Sequence, residues 1–291
     1  MKQELKKIIR GNKLILRIAR TIMKIIRLPS DRNIKYFKRI FSNVEGGTVI
    51  VGLNSIQGSY EIDARSHILE RILLEKDYEP EIVKLILKNT NSNKDALNIG
   101  ANIGLFTNLL ASIIDTKSKV LAVEPVPNAF KLLKVNIERN ENSANVITYE
   151  GIATNKIGNY KINLIPGNEE YSSLGDIVHP AIINNKHTSI EVKGETIDNL
   201  VELHNLSPGI IVMDVEGAEY LVLTGAVETL KKHHPIIIME LYDTLLSKQN
   251  SNSIQVIKFL EDINYKVVDS NNNTPIFPFV GNIIAIEKLS N

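Results

Sequence analysis

The stretch Ala96-Leu97-Asn98-Ile99-Gly100-Ala101-Asn102-Ile103-Gly104 decides the fold. Four residues of strand character run directly into a turn with glycine at both ends, and the apolar spacing of Gly104 to Ile114 then predicts a helix. A strand feeding a glycine turn at a helix N-terminus opens a βαβ unit, and that turn is where such a unit meets its ligand. Gly100 allows a tight turn, and Gly104 allows the helix to pack closely on the sheet. The spacing is G-x-x-x-G, so the G-x-G-x-x-G signature of a dinucleotide pyrophosphate site is missing. Glycines alone could serve turn geometry, so their surroundings must carry the reading.

Downstream, strands are predicted at Lys119 to Val123, Val146 to Glu150, Ile210 to Asp214 and Ile236 to Leu241. Helices are predicted at Pro127 to Arg139, Gly217 to Leu230 and Ser253 to Asp262. This alternation builds a parallel sheet with helices on both faces. Lys266 to Asp269 and Asn282 to Glu287 are strands separated only by turn residues, so the last strand should be antiparallel. The expected fold is therefore α/β, a Rossmann-like, doubly wound class I methyltransferase sheet ending in an antiparallel β-hairpin. Residues 151–206 form an insertion with short strands near Tyr160 to Ile165 and Ser189 to Lys193, of the kind that shapes a substrate pocket. Upstream lie a hairpin over Thr48 to Ile62, a helix over Ser66 to Leu74, and a second helix, Glu81 to Lys88, opened by Pro80. The polar run Asn89 to Lys94 marks a boundary. Three segments result: 1–28, an extension over 29–94, and the cofactor domain over 95–291.

Composition narrows the function. A net charge of +1 leaves no footprint for nucleic acid. The absence of cysteine removes disulfides, thiolate nucleophiles and Cys-ligated zinc, and suits a reducing cytoplasm. No apolar run approaches the roughly 18 residues that cross a bilayer. Between Met1 and Leu28 nine Lys and Arg stand against one acid, Glu4, on a helical apolar pattern that ends before Pro29. No signal peptide is read there. Two readings stay open: a helix lying on an anionic membrane at its inner face, or one packed on the core or on a second subunit.

Glu124 ends the second strand about 20 residues past Gly104, where an acid can accept hydrogen bonds from both ribose hydroxyls. Its removal should cost affinity with little loss of stability. An adenine would then lie near Gly151, Ile152 and Ala153. The run Asp214-Val215-Glu216-Gly217-Ala218-Glu219 sets three carboxylates beside another strand end. Glu219 reads as an acid favoured by a helix N-terminus, whereas Asp214 and Glu216 face the crevice as catalytic candidates, either as base or as holders of a divalent cation. The histidines form no metal constellation; His179 and His187, in the insertion, are either acceptor-side bases or polar loop residues.

In this order the stretches NIGANIG, EPVPNAFKLLKVNIERN, TIDNL and MDVEGAEYLVLTGA resemble the FkbM-type family of S-adenosylmethionine-dependent methyltransferases, over roughly Tyr78 to Glu287. KDYEPEIVKLI looks like the helix preceding the core in that family. The resemblance implies methyl transfer from S-adenosylmethionine, usually to a hydroxyl of a sugar, glycan or related acceptor. Gly100, Asn102 and Gly104 would border the methionine part, Glu124 the ribose, and Asp214 with Glu216 the acceptor. Asn98, Ala101, Pro125, Ile152 and Ala153 complete the expected cofactor set. Two positions depart from the family: Asn98 stands where an acid is usual, and Val212 where a lysine is frequent. These departures keep a second reading in view, a non-catalytic nucleotide-binding module within an assembly.

Overall fold

A computed structural model describes residues 47–142, 145–164, 173–174 and 188–288. The basic segment 1–28 and both His179 and His187 lie outside the described residues. Among the described residues no helix is long and apolar enough to cross a membrane.

The centre is a seven-stranded sheet in the order β12-β13-β11-β10-β3-β4-β5. Its parallel strands are β3 (Asp95–Ile99), β4 (Val120–Glu124), β5 (Val146–Glu150), β10 (Pro208–Met213) and β11 (Ile236–Tyr242). β13 (Val280–Glu287) runs antiparallel to both β11 and β12 (Tyr265–Asp269), which is the predicted terminal hairpin. Period-two alternation divides the core. Leu97, Ile99, Leu121, Val123, Ile211 and Met213 face one apolar layer, which takes in α5 (Ile197–Leu203), α6 (Glu219–Thr224), α7 (Val227–His233) and α9 (Ser253–Asp262). Ala96, Val120, Ile210, Val212 and Ile238 face the other, with α1 (His67–Glu75), α2 (Pro80–Asn89) and α3 (Leu105–Ile113).

The extension shares this second layer, since Tyr60, Ile62, Leu69, Ile72, Val83 and Ile86 are buried in it. Its hairpin, β1 (Thr48–Leu53) with β2 (Gly58–Asp63), is fastened to α4 (Pro127–Arg139) by asparagine side chains. The Glu61 N–H donates to Asn136 Oδ1 at 2.6 Å, and Asn136 Nδ2 donates to the carbonyls of Glu61 and Ile103 at 3.0 and 2.8 Å. Asn136 is fully buried, so removing it would strand backbone groups on both partners.

Two elements differ from the sequence reading. The helix expected over Gly217 to Leu230 is split at Gly225, where an added Cβ would lie 2.0 Å from the Thr154 carbonyl oxygen. Backbone from the insertion packs directly against this glycine. The insertion also contains α5, which was not expected, and Asp198 near its start accepts from the N–H groups of Glu228 and Thr229 at the head of α7. The described strands of the insertion, β6 (Ile152–Ala153), β7 (Gly158–Leu164), β8 (Ser173–Leu174) and β9 (Thr188–Glu195), form their own sheet in the order β6-β9-β7-β8. Entry and exit meet where the Thr154 N–H donates to the Glu195 carbonyl at 2.9 Å.

Candidate active site

A cavity of about 440 Å³ opens at the carboxyl ends of β3, β4, β10 and β11, within the usual range for a small-molecule site. It straddles β3 and β10, where the strand order reverses, which is where open parallel sheets bind ligands. Asn98, Gly100, Ala101, Asn102, Glu124, Pro125, Ile152, Ala153, Asp214 and Glu216 all line it, so the structure gathers these sequence-predicted residues into one place. Gly104 is not on the wall. With φ +88°, it opens α3 where a Cβ would press to 2.7 Å from Leu133 Cδ1, so its role is packing against α4.

The turn after β3 is held by main-chain bonds. The N–H groups of Gly100 and Ala101 both donate to the Val123 carbonyl at 2.9 Å, and the Gly104 N–H donates to the Ala101 carbonyl at 2.9 Å. Gly100 has φ +78°, and a Cβ there would sit 1.8 Å from the Asp214 carbonyl oxygen. The glycine is thus required by the neighbouring strand end, independently of any ligand. Asn102, at φ +48°, turns its N–H onto Glu124 Oε2 at 2.8 Å, while Oε1 accepts the Val126 N–H at 2.8 Å.

Glu124 is 5% exposed, and burial pushes its carboxyl up to about 7 against the pull of those two bonds. This changes one expectation. Truncating Glu124 would leave two buried backbone donors without partners, each costing about 1–3 kcal/mol, so stability falls along with affinity. Asn98 is also buried, and its Oδ1 accepts from the Thr107 hydroxyl at 2.7 Å. Its remaining capacity is therefore the donating amide.

The opposite wall is acidic. Asp214 continues the ladder, its N–H donating to the Ile99 carbonyl at 3.0 Å, and its side chain keeps open surface towards the cavity. Depth in the protein, then the charges of Glu240, Glu79 and Glu219, push its carboxyl well above the usual range. Its open surface lets water weaken the first of these causes, and the crowding of like charge remains. Glu240 is raised by burial and by Glu79, with Arg71 opposing. Glu216 and Gly217 both have positive φ, +51° and +100°, which swings the chain sharply off β10; a Cβ on Gly217 would meet the Leu245 carbonyl of α8 (Asp243–Leu246) at 2.6 Å. Glu219 is 2% exposed and pushed up to about 7 by burial. Its Oε1 accepts the Gly217 N–H at 3.1 Å, and its Oε2 has no partner. The expectation that helix-end geometry explains Glu219 therefore covers only one of its two oxygens. Among the described residues no group of His, Asp and Glu is arranged to hold a metal ion.

Sequence reasoning missed Glu240, Glu79, Arg71, Tyr78 and Phe106, all on the cavity wall. For Glu240 a signal existed. Met213 pairs with Met239 in parallel register, so the next residues, Asp214 just past β10 and Glu240 still within β11, stand side by side. The others come from helices whose docking no local pattern specifies.

Sheet order, terminal hairpin and a cavity at the switch point define the Rossmann-like fold of class I methyltransferases. The profile described as Methyltransferase FkbM domain matches residues 98–267, more than half of the chain, and the protein belongs to this family. The cofactor of such a protein is S-adenosylmethionine. A curated relative, the Hexuronic acid methyltransferase AglP of Haloferax volcanii, is 28% identical over 169 residues, 55% of this chain. The chain spans 61% of that relative's length. Among solved structures, a methyltransferase FkbM from Methylobacillus flagellatus KT is similar with TM-score 0.44 and 16% identity, over 67% of this chain and 44% of that one. TYW2 of M. jannaschii in complex with AdoMet is similar with TM-score 0.40 and 16% identity, over 83% of each chain.

Proposed function

We propose that this protein transfers a methyl group from S-adenosylmethionine to a hydroxyl oxygen of a sugar or glycan. The observation that carries the reading is the division of one cavity into a wall of ordered backbone around Glu124 and a facing wall of carboxylates led by Asp214. The hexuronic acid methyltransferase relative supports a sugar as acceptor.

The residues present fit the cofactor. Each Glu124 oxygen spends one lone pair on a backbone N–H and keeps another for a ribose hydroxyl. The Asn98 amide offers donors suited to a carboxylate, and Ile152, Ala153 and Val126 give an apolar bed for an adenine. The acidic wall favours a cation at its mouth. When bound, S-adenosylmethionine supplies an electrophilic methyl on a positively charged sulfur. The chain's part is then to orient the acceptor hydroxyl and to take its proton on Asp214, with Glu216 at the same mouth. A carboxyl held above its ordinary range is a better base than a free aspartate, provided it is ionised.

Incubating the full chain with methyl-labelled S-adenosylmethionine and a panel of methyl glycosides tests the reading. Label in the sugar fraction with an equal yield of S-adenosylhomocysteine is expected. Retained label with no S-adenosylhomocysteine would favour a binding module instead.

A further inference from the structure

Residues 98–267 match the family, yet part of the cavity wall comes from before that match. Arg71 on α1 and Glu79 at the head of α2 are both contributed by the extension. Arg71 Nη1 donates to Glu79 Oε1 at 2.7 Å, and the guanidinium lies 5.1 Å from the centre of the Tyr78 ring. Tyr78 in turn meets Phe106 of the cofactor domain at 5.9 Å between ring centres.

Glu79 is oddly spent for a helix N-cap. Its side chain makes no capping bond, and its backbone sits at φ 43°, ψ 57°, in the left-handed region, directly before a proline. A non-glycine residue held there is strained, and such strain collects where a side chain must be aimed at a ligand. The aim here is away from its own helix and onto Arg71 at the cavity.

We propose that Arg71 and Glu79 form the acceptor-reading element of the site, binding adjacent hydroxyls of an uncharged pyranose whose apolar face lies against Tyr78. The proposal rests on the methyltransferase reading above. A guanidinium and a carboxylate locked side by side present donors and acceptors at fixed spacing. That matches sugar hydroxyls, each of which both donates and accepts. An aromatic ring beside the pair supplies the flat apolar surface that the C–H face of a pyranose requires.

Charge decides between a neutral sugar and a sugar acid. Arg71 is the one permanent cation among the described lining residues, and Glu79 already occupies it, with Glu75 at 3.7 Å. Asp214, Glu216 and Glu240 share the cavity. A substrate carboxylate would have to displace Glu79 and would add like charge to that wall, which works against sugar acids.

The test uses the full chain saturated with S-adenosylhomocysteine. Binding of the methyl α-glycosides of glucose, galactose and mannose, and of methyl glucuronide, is followed by saturation-transfer NMR. At least one neutral glycoside should bind, the glucuronide more weakly. Arg71→Lys keeps the charge but loses the planar fork, and Glu79→Gln keeps the shape but loses the charge. Each should weaken that glycoside about tenfold or more while leaving S-adenosylhomocysteine affinity unchanged, which also confirms folding. Preference for the glucuronide, no binding of any sugar to the loaded protein, or wild-type sugar binding in both variants would overturn the proposal. Failure of S-adenosylhomocysteine itself to bind the wild-type chain overturns the methyltransferase reading, a distinct result seen before any sugar is added.

Discussion

The two walls of the cavity are built by opposite means. The wall proposed for the cofactor is made of main chain: the Gly100 turn hangs from the Val123 carbonyl, and the Asn102 and Val126 N–H groups converge on one buried carboxylate, within 27 residues of sequence. The wall proposed for the acceptor is made of side chains, with Glu79 from a helix end, Asp214 from a strand end and Glu240 from within β11 left facing one another. The first wall is satisfied without a ligand. The second is frustrated without one, since its carboxylates repel one another. A rigid, satisfied wall suits a ligand that never changes; a wall of like charges suits a step in which a proton must be taken up.

The largest effect should come from the frustrated side. Asp214→Asn is expected to lower turnover by about 10²–10⁴-fold while changing S-adenosylmethionine affinity little, as read by steady-state kinetics and calorimetry. In the wild type, turnover should rise with pH along a limb lying above the usual carboxylate range, because the base works only when ionised. Loss of affinity in step with turnover would erase the division between the walls.

An intermediate effect is expected on the satisfied side. Glu124→Gln should weaken S-adenosylmethionine by about 1.5–3 kcal/mol, through loss of charge-assisted hydrogen bonds. With the carboxyl pushed up to about 7, accepting ribose hydroxyls favours the ionised form, so wild-type affinity should climb as pH rises through about 7. Calorimetry of the variant across that range should give a flat line. A persisting slope would move the titrating group elsewhere.

The smallest effect concerns stability. The native chain holds a proton on Glu219 up to about 7, whereas the unfolded chain releases it near the ordinary glutamate value. Across that window the native state binds more protons, so this group lowers stability as pH rises. Glu219→Gln should therefore stabilise the fold by about 1–3 kcal/mol at pH 8 and by almost nothing near pH 4. Urea melts at both pH values decide it. Equal gains would show that the unpartnered oxygen, and not its charge, is what costs stability.

The same contrast explains what the sequence could reveal. Periodicity and glycine spacing are local, so β3, α4, β5 and α9 were legible to within a residue or so, and Glu124 followed from its distance past the glycines. Arg71 and Glu79 carry no such mark, because their placement depends on how α1 and α2 dock on a layer assembled from distant strands. The break at Gly225 was equally hidden, since the carbonyl packed against that glycine comes from some 70 residues earlier in the chain. For Gly104 the close packing read from sequence is what the structure shows, against Leu133 of α4, and the residue lies off the cavity wall.

The bond from Thr154 to Glu195, beside the pairing of β6 with β9, closes residues 155–194 of the insertion into a loop. The entropy of bringing its two ends together is settled at that closure, and for a flexible loop each doubling of length adds only about 0.6 kcal/mol. Residues between Thr154 and Glu195 that pack neither on α4 nor on the cavity can therefore be lengthened, shortened or exchanged with little pull on β4 and β10. Such a segment is an evolutionary appendage in the useful sense: selection can rewrite it for a new acceptor while the engine beneath it stays as it was.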